Sequence, residues 1–172
     1  MPLSEPQIRR YARHVLLPDV GGVGQARLLA AAARVDLDAD LAGAVAAATY
    51  LAAAGLGTIA LGGDTRRAVT ARDVLEGVAL GEADLGRPLG EALAARLTAI
   101  NPDVRITDDE RPAPGDAART AGDAAVLALP ALAVPAVAGV GAGLEVADAL
   151  VRGGAAAARL IHRVATTPEP RS

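Results

Sequence analysis

The chain has 172 residues, 52% of them hydrophobic, long enough for one domain that buries roughly 70% of its unfolded surface. Every one of its 17 cationic residues is Arg and it has no Cys, which excludes a Schiff-base lysine, a P-loop lysine, a thiol nucleophile, a disulfide and a Cys-based zinc site. The net charge of −3 argues against a nucleic-acid surface.

Residues 4–13 read as a short amphipathic helix, with Ser4 able to cap it and Pro6 in its first turn. His14–Pro18 is expected to be extended, Asp19–Gly24 a turn and Gln25–Ala33 a second short helix. Val35–Ala39 is strand-like, with Asp36 and Asp38 alternating against Val35 and Leu37. Leu41–Ala54 is helical and is stopped by Gly55 and Gly57, ahead of an apolar strand at Thr58–Leu61. Gly62–Leu85 reads as loop with a helical turn, Leu89–Ile100 as a helix ending before Asn101-Pro102, and Val104–Ile106 as a short strand.

Thr107–Gly122 lacks periodicity and reads as loop, with one helical turn near Asp116–Thr120. Ala125–Leu129 is the next strand candidate. A long helix follows at Gly143–Arg163, with an apolar stripe at Leu144, Ala147, Val151, Ala155 and Ala158, and then a disordered tail at 166–172. The uncharged run Ala124–Leu144 is long enough to cross a bilayer, but Pro130, Pro135 and its small residues weaken that drive. No membrane association is expected. The polar, charged N-terminus has no apolar core of a signal peptide, so a cytoplasmic protein is expected.

Residues 34–61 have the shape of a nucleotide-binding strand–turn–helix–strand unit. In such a unit a glycine-rich turn lets the backbone approach a phosphate, and the helix N-terminus presents its free N–H groups. Here the turn is Ala39-Asp40-Leu41-Ala42-Gly43-Ala44. Side chains fill the space and Asp40 adds a negative charge.

Several short motifs in order resemble the ThiF/MoeB/HesA family of ATP-dependent adenylyltransferases, bacterial relatives of ubiquitin-activating enzymes that include the MoeZ type. Arg10-Tyr-Ala-Arg13-His14 with Gly24-Gln25 is similar to the family's N-terminal segment, and Tyr50–Leu61 to its Y-L-A-x-A-G-x-G-x-I/L stretch. Asp84-Leu-Gly86-Arg87, Ile100-Asn101-Pro102 and Gly139–Leu150 resemble three later motifs. The stretch between Leu129 and Val137, where the family carries its catalytic-cysteine and zinc-binding regions, is expected to be missing.

The resemblance implies a reduced Rossmann-like α/β domain over residues 1–165, with a mostly parallel sheet flanked by helices. It also implies where ATP and magnesium would bind if the chain were an active enzyme. The family's phosphate-cradling glycines fall on Ala39, Leu41, Ala42 and Ala44, its phosphate-binding arginine on Glu76 and its lysine on Leu89. The ribose-contacting acid falls near Gly63, with Asp64 one place late, and the Asn of N-x-x-R-Q falls on Asp73.

Arg13 stands where the family reaches across a dimer to the partner's nucleotide. Arg13, Asp64 and Asp73 are therefore the residual cofactor-binding positions, and no catalytic residue and no metal ligand is assigned. Arg13 also reads as a helix-end surface cation, Asp36, Asp38 and Asp40 as solvated acids, and His14 and His162 as packing or surface residues.

The expectation is a degenerate, non-catalytic family member that binds no cofactor and acts as a binding or regulatory partner in sulfur-carrier or cofactor biosynthesis. A homodimer or hetero-oligomer is expected, formed through Arg9–Leu17 and the apolar face of Gly143–Arg163. The alternative is an active adenylyltransferase that uses ATP and magnesium to activate the C-terminus of a ubiquitin-like sulfur-carrier protein.

Overall fold

The computed structural model describes residues 3–38, 40–76, 79–108 and 142–166. Ser4 opens the first helix, α1 (Glu5–Arg10), through a reciprocal capping box: its hydroxyl accepts from the Gln7 N–H while the Gln7 side chain accepts from the Ser4 N–H at 3.0 Å. A second helical turn, α2 (Ala12–Val15), follows at once. His14–Pro18 is therefore not extended as the sequence suggests. Tyr11 is buried, and the chain turns back over it through bonds from the Leu17 N–H to the His14 carbonyl and from the Gly21 N–H to the Leu17 carbonyl.

The next helix, α3, runs over Gly21–Ala30, earlier at both ends than expected. The first strand, β1, is Ala32–Asp36 rather than Val35–Ala39. Ala32 and Ala33 are strong helix formers by propensity, but β2 (Thr58–Gly62) claims the adjacent backbone. The Gly57 N–H donates to the Leu28 carbonyl and the Thr58 N–H to that of Ala31, and Ala32 then pairs with Thr58. Strand pairing overrides local propensity here.

Among the described residues, three strands form a parallel sheet in the order β1–β2–β3, where β3 is Arg105–Asp108. Asp36 pairs with Gly62 and Leu61 with Asp108, so the C-terminal ends of all three strands lie at one edge. Helix α4 (Leu41–Ala54) connects β1 to β2, with the bounds that its apolar pattern and glycine stop predict. Gly55 ends it at φ 85°, and a methyl group there would stand 2.6 Å from the Tyr11 ring, so this left-handed position requires glycine.

Between β2 and β3 lie α5 (Ala71–Glu76), a single 3-10 turn at Glu82–Asp84, and α6 (Leu89–Ile100). The last helix, α7 (Ala142–Thr166), packs along α4. The core joins Val35, Ile59 and Leu61 of the sheet to Val45, Leu51, Leu89, Leu93, Leu97 and Leu160 of the helices.

Helix α7 is apolar on two sides. Its core-facing residues are Ala149, Gly153, Ala157 and Leu160, whereas Ala147, Val151 and Ala158 of the stripe read from the sequence are exposed. The expected strand at Ala125–Leu129, the helical turn near Asp116–Thr120 and the tail lie outside the described residues. No helix among the described residues is long and apolar enough to cross a membrane.

Candidate functional site at the C-terminal strand ends

In open parallel sheets, ligands bind in the crevice beyond the carboxyl ends of the strands. Here that edge carries Asp36, Gly62 and Asp108, with the β1–α4 and β2–α5 connections above it. Of the expected phosphate turn, Ala39 lies outside the described residues. Leu41, Ala42, Gly43 and Ala44 form the first turn of α4, with the side chains of Ala42 and Ala44 buried.

Asp40 is the N-cap of that helix, and its carboxylate accepts a hydrogen bond from the Gly43 N–H at 3.0 Å. A carboxylate at a helix N-terminus is stabilised by the free N–H groups and the positive end of the dipole. The same carboxylate receives a bond from Arg152 Nη2 of α7 at 3.3 Å, and Arg152 Nη1 bonds Asp148 one turn earlier on α7. Gly153 lies so close to Gly43 that a methyl group would overlap the Gly43 carbonyl. The N-terminal end of α4 thus carries a carboxylate and has α7 packed against it.

Asp38 and Asp64 link the two connections. The Asp38 N–H donates to Asp36 and the Asp64 N–H donates to Asp38, at 3.0 and 2.9 Å. Gly63, at φ 94°, lies against Asp38: a methyl group would stand 2.6 Å from its carboxylate. Asp64 in turn accepts from the Arg67 N–H at 3.1 Å. Among the described residues no group of three or more acids or histidines could hold a metal ion.

Asp73 is buried and fully engaged. Both terminal nitrogens of Arg67 bond it, at 2.7 and 2.9 Å, and so do the N–H and hydroxyl of Thr70, at 2.7 and 2.8 Å. The Arg67 guanidinium foremost, then the Thr70 donors, hold its pKa down to about 2 against the cost of burial. Thr70 and Asp73 cap the start of α5 reciprocally.

Leu89, at the position of the family lysine, is buried in the core at the start of α6. Glu76, at the position of the phosphate-binding arginine, is the last residue of α5. Asp84, beside it in the chain order of the motifs, is buried and accepts from the Gly81 N–H and from Arg87 and Arg96. Those bonds, the Gly81 one first, lower its pKa.

Arg13 lies elsewhere. The segment that carries it is fixed at the opposite edge of the sheet, before β3: the Tyr11 hydroxyl donates to Asp103 at 3.0 Å and accepts from Asn101 at 2.8 Å. Arg13 itself is exposed. The chain therefore brings Asp64 and Asp73 into one connection and keeps Arg13 away from both. Arg67, which holds Asp73, and Arg152, which holds Asp40, are not indicated by the sequence. The Thr70-x-x-Asp73 spacing is a legible cap signal, whereas nothing local pairs Arg152 with Asp40.

No family model matches the chain. It is 38% identical over 118 residues to the probable adenylyltransferase/sulfurtransferase MoeZ of Mycobacterium tuberculosis, an alignment that covers 67% of this chain and 29% of that protein. It is 31% identical over 120 residues to the sulfur carrier protein ThiS adenylyltransferase of Escherichia coli, covering 69% and 46%. To the heterocyst HesA protein of Trichormus variabilis it is 37% identical over 106 residues, covering 60% and 38%.

The chain thus spans less than half the length of these relatives. Its fold is also that of E. coli tRNA N6-threonylcarbamoyladenosine dehydratase, TcdA, with a TM-score of 0.55 at 22% identity over 64% of this chain and 43% of that one. The crystal structure of PaaA matches at a TM-score of 0.54, with 24% identity over 62% and 36%. Among the described residues, a three-stranded parallel sheet flanked by helices, with these structural neighbours, defines a Rossmann-like α/β fold. The chain belongs to the ThiF/MoeB/HesA family.

Proposed function

We propose that the chain is a non-catalytic member of its family that serves as a binding or regulatory partner in sulfur-carrier or cofactor biosynthesis. The observation that carries this reading is the Asp40 carboxylate on the N-terminus of α4, bonded to the Gly43 N–H and to Arg152. That is the place a phosphate takes in a nucleotide-binding unit. An internal carboxylate there satisfies the same donors and repels a second anion.

The surrounding residues favour the same conclusion. Adenylation stabilises charge on the phosphate that is transferred, which takes positioned cations and close backbone donors. Leu89 is buried in the core, Glu76 is acidic, and the methyl groups of Ala42 and Ala44 occupy the space that glycines would leave. Arg67 and Arg152 are each already paired with carboxylates. These residues do not fit a triphosphate with its magnesium.

The competing reading is an active enzyme that uses ATP and magnesium to activate the C-terminal carboxylate of a ubiquitin-like sulfur carrier, and its support is the 38% identity to MoeZ. Calorimetry with MgATP separates the two. No heat at millimolar nucleotide, and background pyrophosphate exchange with a sulfur-carrier protein, are expected. A micromolar dissociation constant returns the chain to the enzymes.

A further inference from the structure

Where the end of α4 meets α3 and α7, beside the N-terminal segment, lies a groove of about 260 Å³. Leu28 and Ala54, both buried, form its floor, and Leu17 and Tyr50, each at least half exposed, stand at its mouth. Six of its eight lining residues are aliphatic, and the other two are His14 and Tyr50. The volume falls just short of the range for drug-sized ligands, roughly 300–1,000 Å³, and suits a molecule of about one ring.

The neighbours of His14 fix which of its ring nitrogens carries the proton. Gln25 is fully buried and its side-chain N–H donates to the Ala54 carbonyl at 3.0 Å, which leaves its amide oxygen for His14 Nδ1, 2.9 Å away. An amide oxygen only accepts. Nδ1 therefore carries the hydrogen, and in the neutral ring Nε2 is a bare acceptor. Nε2 has no partner among the described residues, and since none of their buried side-chain nitrogens or oxygens lacks one, it lies open in a residue that lines the groove. The ring is also held in place: it stacks on Tyr11 with centroids 6.0 Å apart, and the Tyr11 hydroxyl is anchored by Asn101 and Asp103.

A preset acceptor in an aliphatic lining selects its ligand. An ammonium group would lose its hydration among the aliphatic side chains, and a carboxylate would bring a second acceptor against the Nε2 lone pair. A hydroxyl group donates to Nε2 and leaves an apolar body to pack on Leu17, Leu28 and Ile161. The Tyr50 ring at the mouth favours an aromatic body. We propose that this groove binds a small neutral molecule of the phenol class, held by a hydrogen bond from its hydroxyl to Nε2 of His14. The groove lies away from the strand C-termini, so the site goes beyond the proposed function and does not depend on it.

Nuclear magnetic resonance of the whole chain titrated with phenol tests this, because its two histidines, His14 and His162, give two sets of imidazole signals. Millimolar phenol is expected to shift the Nε2 resonance of His14 saturably and to leave His162 in place. Anisole, the same ring without the donor, and benzoate are each expected to bind at least about fivefold more weakly, the worth of one hydrogen bond. His14→Asn keeps an N–H for Gln25 and removes Nε2, and should lower phenol to the affinity of anisole. Ala53→Leu fills the groove from an exposed position and should abolish binding of both. The proposal is overturned if tens of millimolar phenol leave His14 unmoved, or if anisole or benzoate binds as tightly as phenol. It is overturned equally if phenol binds folded His14→Asn or Ala53→Leu protein as it binds the wild type.

Discussion

Arg152 of α7 holds Asp40, 112 residues earlier in the chain, at 3.3 Å on the N-terminal end of α4. The pair joins the element that would cradle a phosphate to the helix packed over it. Asp40 is the cap, Arg152 the tie, and Asp148 the second carboxylate that Arg152 bonds. Asp40→Ala removes one helix cap and one ion pair that is partly open to solvent. The expected cost is about 1 kcal/mol, mostly from the cap, since such a pair contributes little. Urea unfolding measures it, and an unchanged midpoint would show that the cap is not made in solution.

Glycine at Ala39, Leu41, Ala42 and Ala44 together is expected not to recover nucleotide binding or pyrophosphate exchange. The glycines at positions 41, 42 and 44 loosen the first turn of α4, and none of the four supplies positive charge, while Leu89 and Glu76 remain. The variant should be less stable than the wild type by thermal unfolding, with no stabilisation by MgATP. Recovery of exchange in this variant would show that backbone approach alone was limiting.

Asp73 gives the protein a defined acid sensitivity. Its pKa falls from the ordinary 3.8 to about 2 in the folded state, so folding favours the ionised form. The stability that it contributes is fully present above about pH 4 and is lost as the pH falls through about 2. The difference is on the order of 2 kcal/mol. Asp84, also lowered, adds in the same direction. Asp73→Asn should be less stable than the wild type at neutral pH and approach it in acid. Parallel stability curves between pH 4 and pH 2 would refute the Arg67 pairing.

The motifs that make the family legible are mostly those that hold the fold. Gly55 requires its left-handed conformation against Tyr11, and Asn101 donates to the Tyr11 hydroxyl and to the Ala52 carbonyl in the interior. Gln25, also buried, donates to the Ala54 carbonyl and contacts His14 at 2.9 Å. This knot ties the N-terminal helices to the end of α4, at the far side of the sheet from the strand C-termini, so it is independent of any ligand. α4 and α6 were read with their observed bounds because apolar pattern, a glycine stop and Asn101-Pro102 all agree there.

The displaced strand has a physical cause. Ala32 and Ala33 suit a helix by propensity, and only their pairing with Thr58 and Ile59 makes them strand. At the site, the spacing Thr70-x-x-Asp73 makes the cap of α5 legible, whereas the bonds from Arg67 to Asp73 and from Arg152 to Asp40 have no local signal.

The two adjacent glycines of α7 give the last prediction. Glycine inside a helix costs up to about 1 kcal/mol relative to alanine, so a Gly→Ala change there stabilises unless the new methyl group has no room. At Gly154 the nearest atom is Cε2 of the Tyr50 ring at 3.0 Å. That ring is more than half exposed and can move aside. At Gly153 the methyl group would overlap the Gly43 carbonyl, which is fixed backbone inside α4, so α7 must lift away and open the buried contacts of Ala149, Ala157 and Leu160. Gly154→Ala is therefore expected to be neutral or to stabilise by up to about 1 kcal/mol, while Gly153→Ala should destabilise by about 2 kcal/mol or more, the range for overpacked sites. Urea unfolding of the two variants measures the contrast, and equal effects at both positions would mean that α7 does not pack on α4 through Gly153.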